Sequence, residues 1–125
     1  MDKHVVLSLF HLAIIAPLFL FIGFQRASVP HWLYTAILTI GIIIFLYHGF
    51  KLFFRIRANS SHAWINAIHV FLVAPLLIYI GYHNKETPRA AYEVLLMAGF
   101  AAVGYHLFSL VKWVGTLPED APTEQ

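Results

Sequence analysis

The sequence predicts an all-α protein, a four-transmembrane-helix bundle built from two tandem, parallel two-helix repeats. Three observations predict this fold. Of the 125 residues, 60% are hydrophobic and only 11% are charged, too apolar a balance for a water-soluble domain. Four apolar stretches, at roughly residues 5–24, 32–54, 63–82 and 90–113, approach the ~20 residues that a helix needs to cross hydrocarbon. The chain also matches itself at an offset of 58 residues.

This internal match covers most of the chain. Residues 4–55 align with residues 62–113 without a gap, and 15 of the 52 aligned positions are identical. Many identities are His, Pro, Gly and Tyr, which a shared apolar composition would not produce. They include Pro30 with Pro88, Tyr34 with Tyr92, Gly41 with Gly99 and Tyr47-His48 with Tyr105-His106. Each repeat holds two helices, so the second repeat enters the membrane in the orientation of the first, and the repeats are predicted to be parallel.

The predicted helices form one membrane domain over residues 1–113. The connections near residues 25–30 and 83–88 are short, which predicts that the helices they join lie side by side. Pro17 and Pro75 each remove a backbone donor in mid-helix and predict kinks that widen the bundle, although proline is also simply tolerated in membrane helices. Residues 114–125 have no apolar face and are predicted to be a disordered tail.

The distribution of basic residues predicts the orientation of the chain. Five Lys or Arg residues belong to the face that carries both termini and three belong to the opposite face. The first group is Lys3, Lys51, Arg55, Arg57 and Lys112, and the second is Arg26, Lys85 and Arg89. The positive-inside rule then predicts an integral, multi-pass membrane protein with cytoplasmic termini. The chain is expected to be surrounded by the lipid bilayer, and the sequence leaves open whether it forms a homo-oligomer. Nucleic acid is disfavoured as a partner, because the net charge is only +2 and the basic residues form no stripe.

The histidines are the candidate functional residues. His4, His11 and His48 recur as His62, His69 and His106, each 58 residues later. At about 1.5 Å per residue, His11 and His48 lie at a similar depth near the face with the termini, on helices that run in opposite directions. By symmetry, the sequence predicts one buried site made of four imidazoles. Its members are His11, His48, His69 and His106.

Other repeated residues are expected to support this site. Tyr34, Gly41 and His48 are spaced by seven residues, which places them along one side of the helix. Because glycine favours close contact between helices, this side is predicted to face the bundle. Ser8 and Asn66 precede His11 and His69 by three residues and are predicted to fix the tautomers of those rings. His4 and His62 are expected at the mouth of the site.

An all-imidazole site suits zinc, copper or haem iron, because histidine binds metals near neutral pH without a permanent charge. No Asp or Glu is expected deep in a helix, which disfavours a di-iron carboxylate centre. For haem, Lys51, Arg55 and Arg57 would meet the propionates. The absence of cysteine excludes thiolate ligands and disulfides.

The leading hypothesis is therefore a small membrane protein that binds a metal ion or haem iron. No Ser-His-Asp set, phosphate-binding loop or acid pair is present, so no enzymatic turnover is predicted. One alternative is a structural or accessory protein whose histidines only bridge helices. Another is a proton or ion conductor in which the imidazoles act as a relay. The helices carry few polar groups in the other half of the membrane, so a conducting path between protomers is favoured over a path through one monomer.

Overall fold

The computed structural model describes residues 2–116, and over that range the chain forms four long helices and no strand. The helices are α1 (Lys3–Ser28), α2 (His31–Arg57), α3 (Ala63–Glu86) and α4 (Arg89–Val114). The predicted all-α fold with four apolar spans is confirmed. Of the tail predicted to be disordered, Val114 ends α4, while residues 117–125 lie outside the described residues.

The outer surface of the bundle is apolar. Large hydrophobic side chains point away from the protein along every helix, among them Phe71 with 75% of its surface exposed, Phe50 with 65% and Leu46 with 65%. A contiguous apolar surface of this kind is unfavourable in water and favourable against lipid chains. All four helices are long and apolar enough to cross a membrane, consistent with a multi-pass membrane protein.

The helices pack as two tight pairs. Helix α1 packs chiefly against α4, and α2 packs chiefly against α3. The expectation that each short connection brings its two helices side by side is wrong for α1 and α2, which make little direct contact, and α3 and α4 touch only sparsely. The bundle therefore consists of the pairs α1–α4 and α2–α3.

Glycines explain why these pairs form. A Cβ atom on Gly81 would lie 2.6 Å from the Cβ of Leu38 and 2.8 Å from its Cα and backbone nitrogen. Gly41 brings the same two helices together further along their length. Gly23 and Gly99 make the corresponding approaches between α1 and α4. Without a hydrophobic effect between helices in lipid, such close backbone contact is a principal source of association, and it selects these partners.

The two pairs meet at the end of the bundle where Ser28 ends α1 and Glu86 ends α3, called here the hairpin end. The hydroxyl groups of Tyr34 and Tyr92 lie 2.8 Å apart in the core. Each hydroxyl also lies 3.3 Å from a backbone carbonyl, that of Arg26 for Tyr34 and that of Asn84 for Tyr92. The surrounding core is apolar and includes Ile22, Ile37, Leu77, Ile80 and Leu95. The tyrosines therefore join the pairs in a dry environment.

Tyr34→Phe and Tyr92→Phe are expected to destabilise the bundle by equal amounts. The two hydroxyls share two protons among three contacts, so either substitution removes one net hydrogen bond, worth about 1 kcal/mol. Reversible unfolding in mixed detergent micelles measures the change, with the exposed Tyr82→Phe as the control. A cost at only one of the two tyrosines would contradict this arrangement.

Candidate histidine site

The site lies at the opposite end of the bundle, called here the terminal end, where Asp2 at the start of the chain and Trp113 near the end of α4 line the same small cavity. His11 opens a π-helical turn, His11–Ile15, and His69 opens another, His69–Val73. In these turns the N–H groups of Ala16 and Ala74 donate to the carbonyls of the two histidines, five residues earlier. A π-helical turn in a helix often marks a functional position.

Pro17 and Pro75 directly follow these turns. Each lies at the start of a new α-helical segment, Ala16–Gln25 or Ala74–His83. Proline is tolerated in a first turn because no intrahelical donor is needed there. The prolines thus end the π-helical turns. The sequence predicted kinks at these positions, and the irregularity that the structure shows beside each proline is a π-helical turn.

Backbone carbonyls fix the tautomers of two histidines. Nδ1–H of His11 donates to the carbonyl of Leu7 at 2.8 Å, and Nδ1–H of His69 donates to the carbonyl of Ile65 at 2.7 Å. A carbonyl oxygen can only accept a hydrogen bond, so Nδ1 carries the proton in both rings. In the neutral ring, Nε2 therefore keeps a free lone pair.

The other two histidines bond to neighbouring helices. Nδ1–H of His48 donates to Oδ1 of Asn66 at 2.9 Å, and Nδ1 of His106 lies 3.3 Å from Oγ of Ser8. The prediction that Ser8 and Asn66 orient His11 and His69 is therefore wrong. Carbonyls one turn earlier already accept from His11 and His69. Ser8 instead bonds to His106, which joins α1 to α4, and Asn66 bonds to His48, which joins α3 to α2.

The four rings form two stacks. His11 stacks on His106 with ring centroids 4.3 Å apart, and His48 stacks on His69 at 4.1 Å with only 9° between the ring planes. Stacked rings hold their nitrogens side by side and do not direct them at a single point. Within residues 2–116, no group of three or more His, Asp or Glu side chains is placed to hold a metal ion. This geometry argues against a bare zinc or copper centre, which needs three or four converging donors.

All four histidines line one cavity of about 1300 Å³ between the helices. Its wall is mostly apolar, and it exceeds the ~300–1,000 Å³ of a typical small-molecule site. His4 and His62, both exposed, also line it, as expected for its mouth. Lys3, Lys51 and Arg55 contribute positive charge, and no Asp or Glu of the described residues lines it. The arrangement suits a large, mainly apolar ligand with an anionic group.

Asn66 is the most unusual polar group of the wall. Its side chain is 2% exposed, and its Nδ2 group has no hydrogen-bond partner in the part of the chain that the structure describes. An unpaired buried donor costs about 1–3 kcal/mol, so such groups need an explanation. Because Asn66 lines the cavity, an acceptor atom on an occupant would satisfy it.

Asn66→Val is expected to be less stable than Asn66→Ser by about 1–3 kcal/mol, because both substitutions remove the unpaired Nδ2 group but only serine keeps an acceptor for Nδ1–H of His48. Asn66→Ser is the control, since serine stands at the equivalent position 8 and accepts through its hydroxyl. Detergent unfolding of both variants measures the difference. Equal stability of the valine and serine variants would mean that the bond between His48 and the side chain at position 66 contributes nothing.

Comparison of the chain with protein-family models, with curated proteins and with solved structures finds no match. The cavity is lined by all four histidines singled out in the sequence, but the predicted buried site is only partly buried: His106 is buried, while His11, His48 and His69 are half-buried. Sequence reasoning missed the stacking and the π-helical turns, for which the repeated six-residue spacing from histidine to proline was the available signal.

Proposed function

We propose that this chain is a haem-binding integral membrane protein in which Nε2 atoms of His11 and His69 hold the iron. The observation that carries the proposal is that histidines hydrogen-bonded through Nδ1 surround one large apolar cavity. Metal-bound histidines characteristically donate their other ring N–H to a carbonyl or side-chain acceptor, which sets the orientation of the ring.

Haem fits the donor set better than a bare ion does. The porphyrin supplies four nitrogens itself, so only one or two histidines are needed and no tetrahedral cluster has to form. The ligand is also flat, bulky and apolar, with two carboxylates at one edge, in keeping with a wide apolar cavity that has cationic side chains. When bound, haem would supply one-electron chemistry, while the protein would hold and orient the ligand.

His11 and His69 are assigned to the iron for two reasons. Their Nδ1–H groups donate to carbonyls of their own helices, which leaves Nε2 available in both neutral rings, whereas Nδ1 of His48 and of His106 bonds to a neighbouring helix. They also occupy equivalent positions 58 residues apart, each at the start of a π-helical turn. His106 and His48 stack on their faces and hold the rings in place.

The proposal includes a tandem duplication with parallel repeats. It is supported by contacts that recur 58 residues apart: Gly23 approaches Leu96 as Gly81 approaches Leu38, and His106 bonds Ser8 as His48 bonds Asn66. A two-fold axis along the membrane normal would relate these contacts and pass near the tyrosine pair. We also propose that the terminal end faces the cytoplasm, on the five-to-three excess of basic residues.

A helix-bridging structural role is the second candidate, favoured by the bond between His48 and Asn66 across α2 and α3. It accounts for that bond but leaves the large cavity and the unpaired Asn66 amide unexplained. Ion conduction through one monomer is less well supported. The lining of the cavity extends no further toward the hairpin end than residues such as Phe19 and Ala98, and beyond them lies a packed apolar core.

The test is the visible spectrum and metal content of the purified protein, before and after titration with haem. The proposal predicts saturable binding with a sharp Soret band and one haem per chain. Stoichiometric zinc or copper without haem binding would contradict it in favour of a bare metal site. Binding of neither would contradict it in favour of the structural role.

A further inference from the structure

We infer that the cavity accepts haem in one orientation, with both propionates at the edge formed by α2 and α3 and held by Lys51 and Arg55. This inference rests on the proposed haem binding and adds the anionic subsite. A two-fold symmetric cavity would accept haem equally in two orientations. The two halves of the sequence differ in the charge of the residues near the mouth of the cavity.

The cationic edge belongs to one half of the chain. Lys51 and Arg55 lie one turn apart on α2, and both line the cavity. At the equivalent positions on α4, 58 residues later, stand Ser109 and Trp113, neither of which is charged. Among residues 2–116, the cation that lines the cavity on the opposite edge is Lys3, and the carboxylate of Asp2 is next to it in sequence and accepts from the N–H of His4. A dianionic ligand edge is therefore better stabilised beside α2 and α3.

Both cations are held at this edge. Nη1 of Arg55 donates to the carbonyl of His62 at 3.3 Å, which places the guanidinium beside the mouth. The ammonium of Lys51 lies 5.4 Å from the centre of the Tyr47 ring, and that ring also lines the cavity. Arginine and lysine both form charge-assisted hydrogen bonds to carboxylates.

Two nearby cations provide matched controls. Arg57 and Lys112 are at the same end of the bundle, but they lie over the rings of Phe53 and Phe108 and do not line the cavity. Arg57, which the sequence analysis expected to meet the propionates, therefore lies outside the proposed subsite.

The experiment compares binding of haem and of its dimethyl ester, which lacks the carboxylates, to the full-length protein in detergent. Lys51→Gln with Arg55→Gln should weaken haem binding about tenfold, the effect of losing charge-assisted contacts at a partly exposed edge, and should leave ester binding unchanged. Arg57→Gln with Lys112→Gln removes the same charge and should change neither affinity. Lys51→Arg with Arg55→Lys keeps both positive charges and should keep most of the haem affinity. Retained affinity in this variant would show that substitutions at these two positions do not disrupt the fold of the edge.

The possible outcomes separate the two proposals. Unchanged haem affinity in the Lys51→Gln, Arg55→Gln variant would overturn the oriented subsite while leaving haem binding intact. An equal loss in the Arg57→Gln, Lys112→Gln control would also overturn it, because general charge attraction would then suffice. If the unchanged protein binds neither haem nor the ester, the proposed function fails and this inference fails with it.

Discussion

His11→Ala and His69→Ala are each expected to weaken haem binding by at least about 100-fold. Loss of an outer partner of a metal ligand already costs 10–100-fold in affinity, and loss of the ligand itself should cost more. Each single variant should leave the iron with one protein ligand and convert its spectrum from low-spin to high-spin. Haem titration followed by absorption measures both effects.

His83→Ala is the matched control for these variants. Nδ1–H of His83 donates to the carbonyl of Tyr79, four residues earlier, at 2.9 Å, as in His11 and His69, but His83 does not line the cavity. The His83→Ala variant should therefore bind haem with the affinity of the unchanged protein. A smaller loss of about tenfold is expected for His48→Ala and His106→Ala, which remove stacking partners. If those two variants lost more affinity than His11→Ala and His69→Ala, the assignment of the iron ligands would be incorrect.

Gly81→Ala is expected to destabilise the bundle by about 2–3 kcal/mol, even though alanine is the better helix former by up to ~1 kcal/mol. The added methyl group would meet the Cβ, Cα and backbone nitrogen of Leu38 within 2.8 Å, and backbone atoms cannot move aside without separating α2 from α3. Reversible unfolding in mixed micelles measures the change in free energy.

Two other glycines make this prediction specific. A Cβ on Gly104 would meet nothing within 4 Å, so Gly104→Ala should be neutral or stabilising. Gly23→Ala should cost less than Gly81→Ala, because its nearest neighbours, at 2.6–2.7 Å, are outer side-chain atoms of Leu96 that can change rotamer. Equal stability of Gly81→Ala and Gly104→Ala would show that α2 and α3 do not pack through this contact.

The fold was largely predictable because lipid imposes simple rules. Long apolar runs give helices of known length, and the seven-residue spacing of Tyr34, Gly41 and His48 indicated the face that turns inward. Tyr34 and Gly41 are indeed buried, and His48 is half-buried beside the cavity. Helix pairing was not predictable from the short connections, because partners are chosen by close backbone contact at glycines rather than by proximity in the sequence.

The sequence predicted that four histidines lie close together, and they line one cavity, but it did not predict the geometry of their rings. The recurrence of histidine at a fixed offset identified the four rings, while the partner of each Nδ1 depended on details that a sequence pattern does not resolve. The carbonyl one turn earlier competes with Ser8 and Asn66 for the proton of a helical histidine, and in His11 and His69 the carbonyl is the acceptor. Face-to-face stacking of rings from different helices follows from packing and has no sequence signature.

The coordination state of the iron in the haem-loaded, unchanged protein tests the central claim most directly. Magnetic circular dichroism and resonance Raman spectra of the ferric complex distinguish two nitrogen ligands from one. If His11 and His69 both hold the iron, these spectra should show low-spin iron with two imidazole ligands. A five-coordinate, high-spin spectrum, or the same low-spin spectrum in a variant without His11 and His69, would contradict the account.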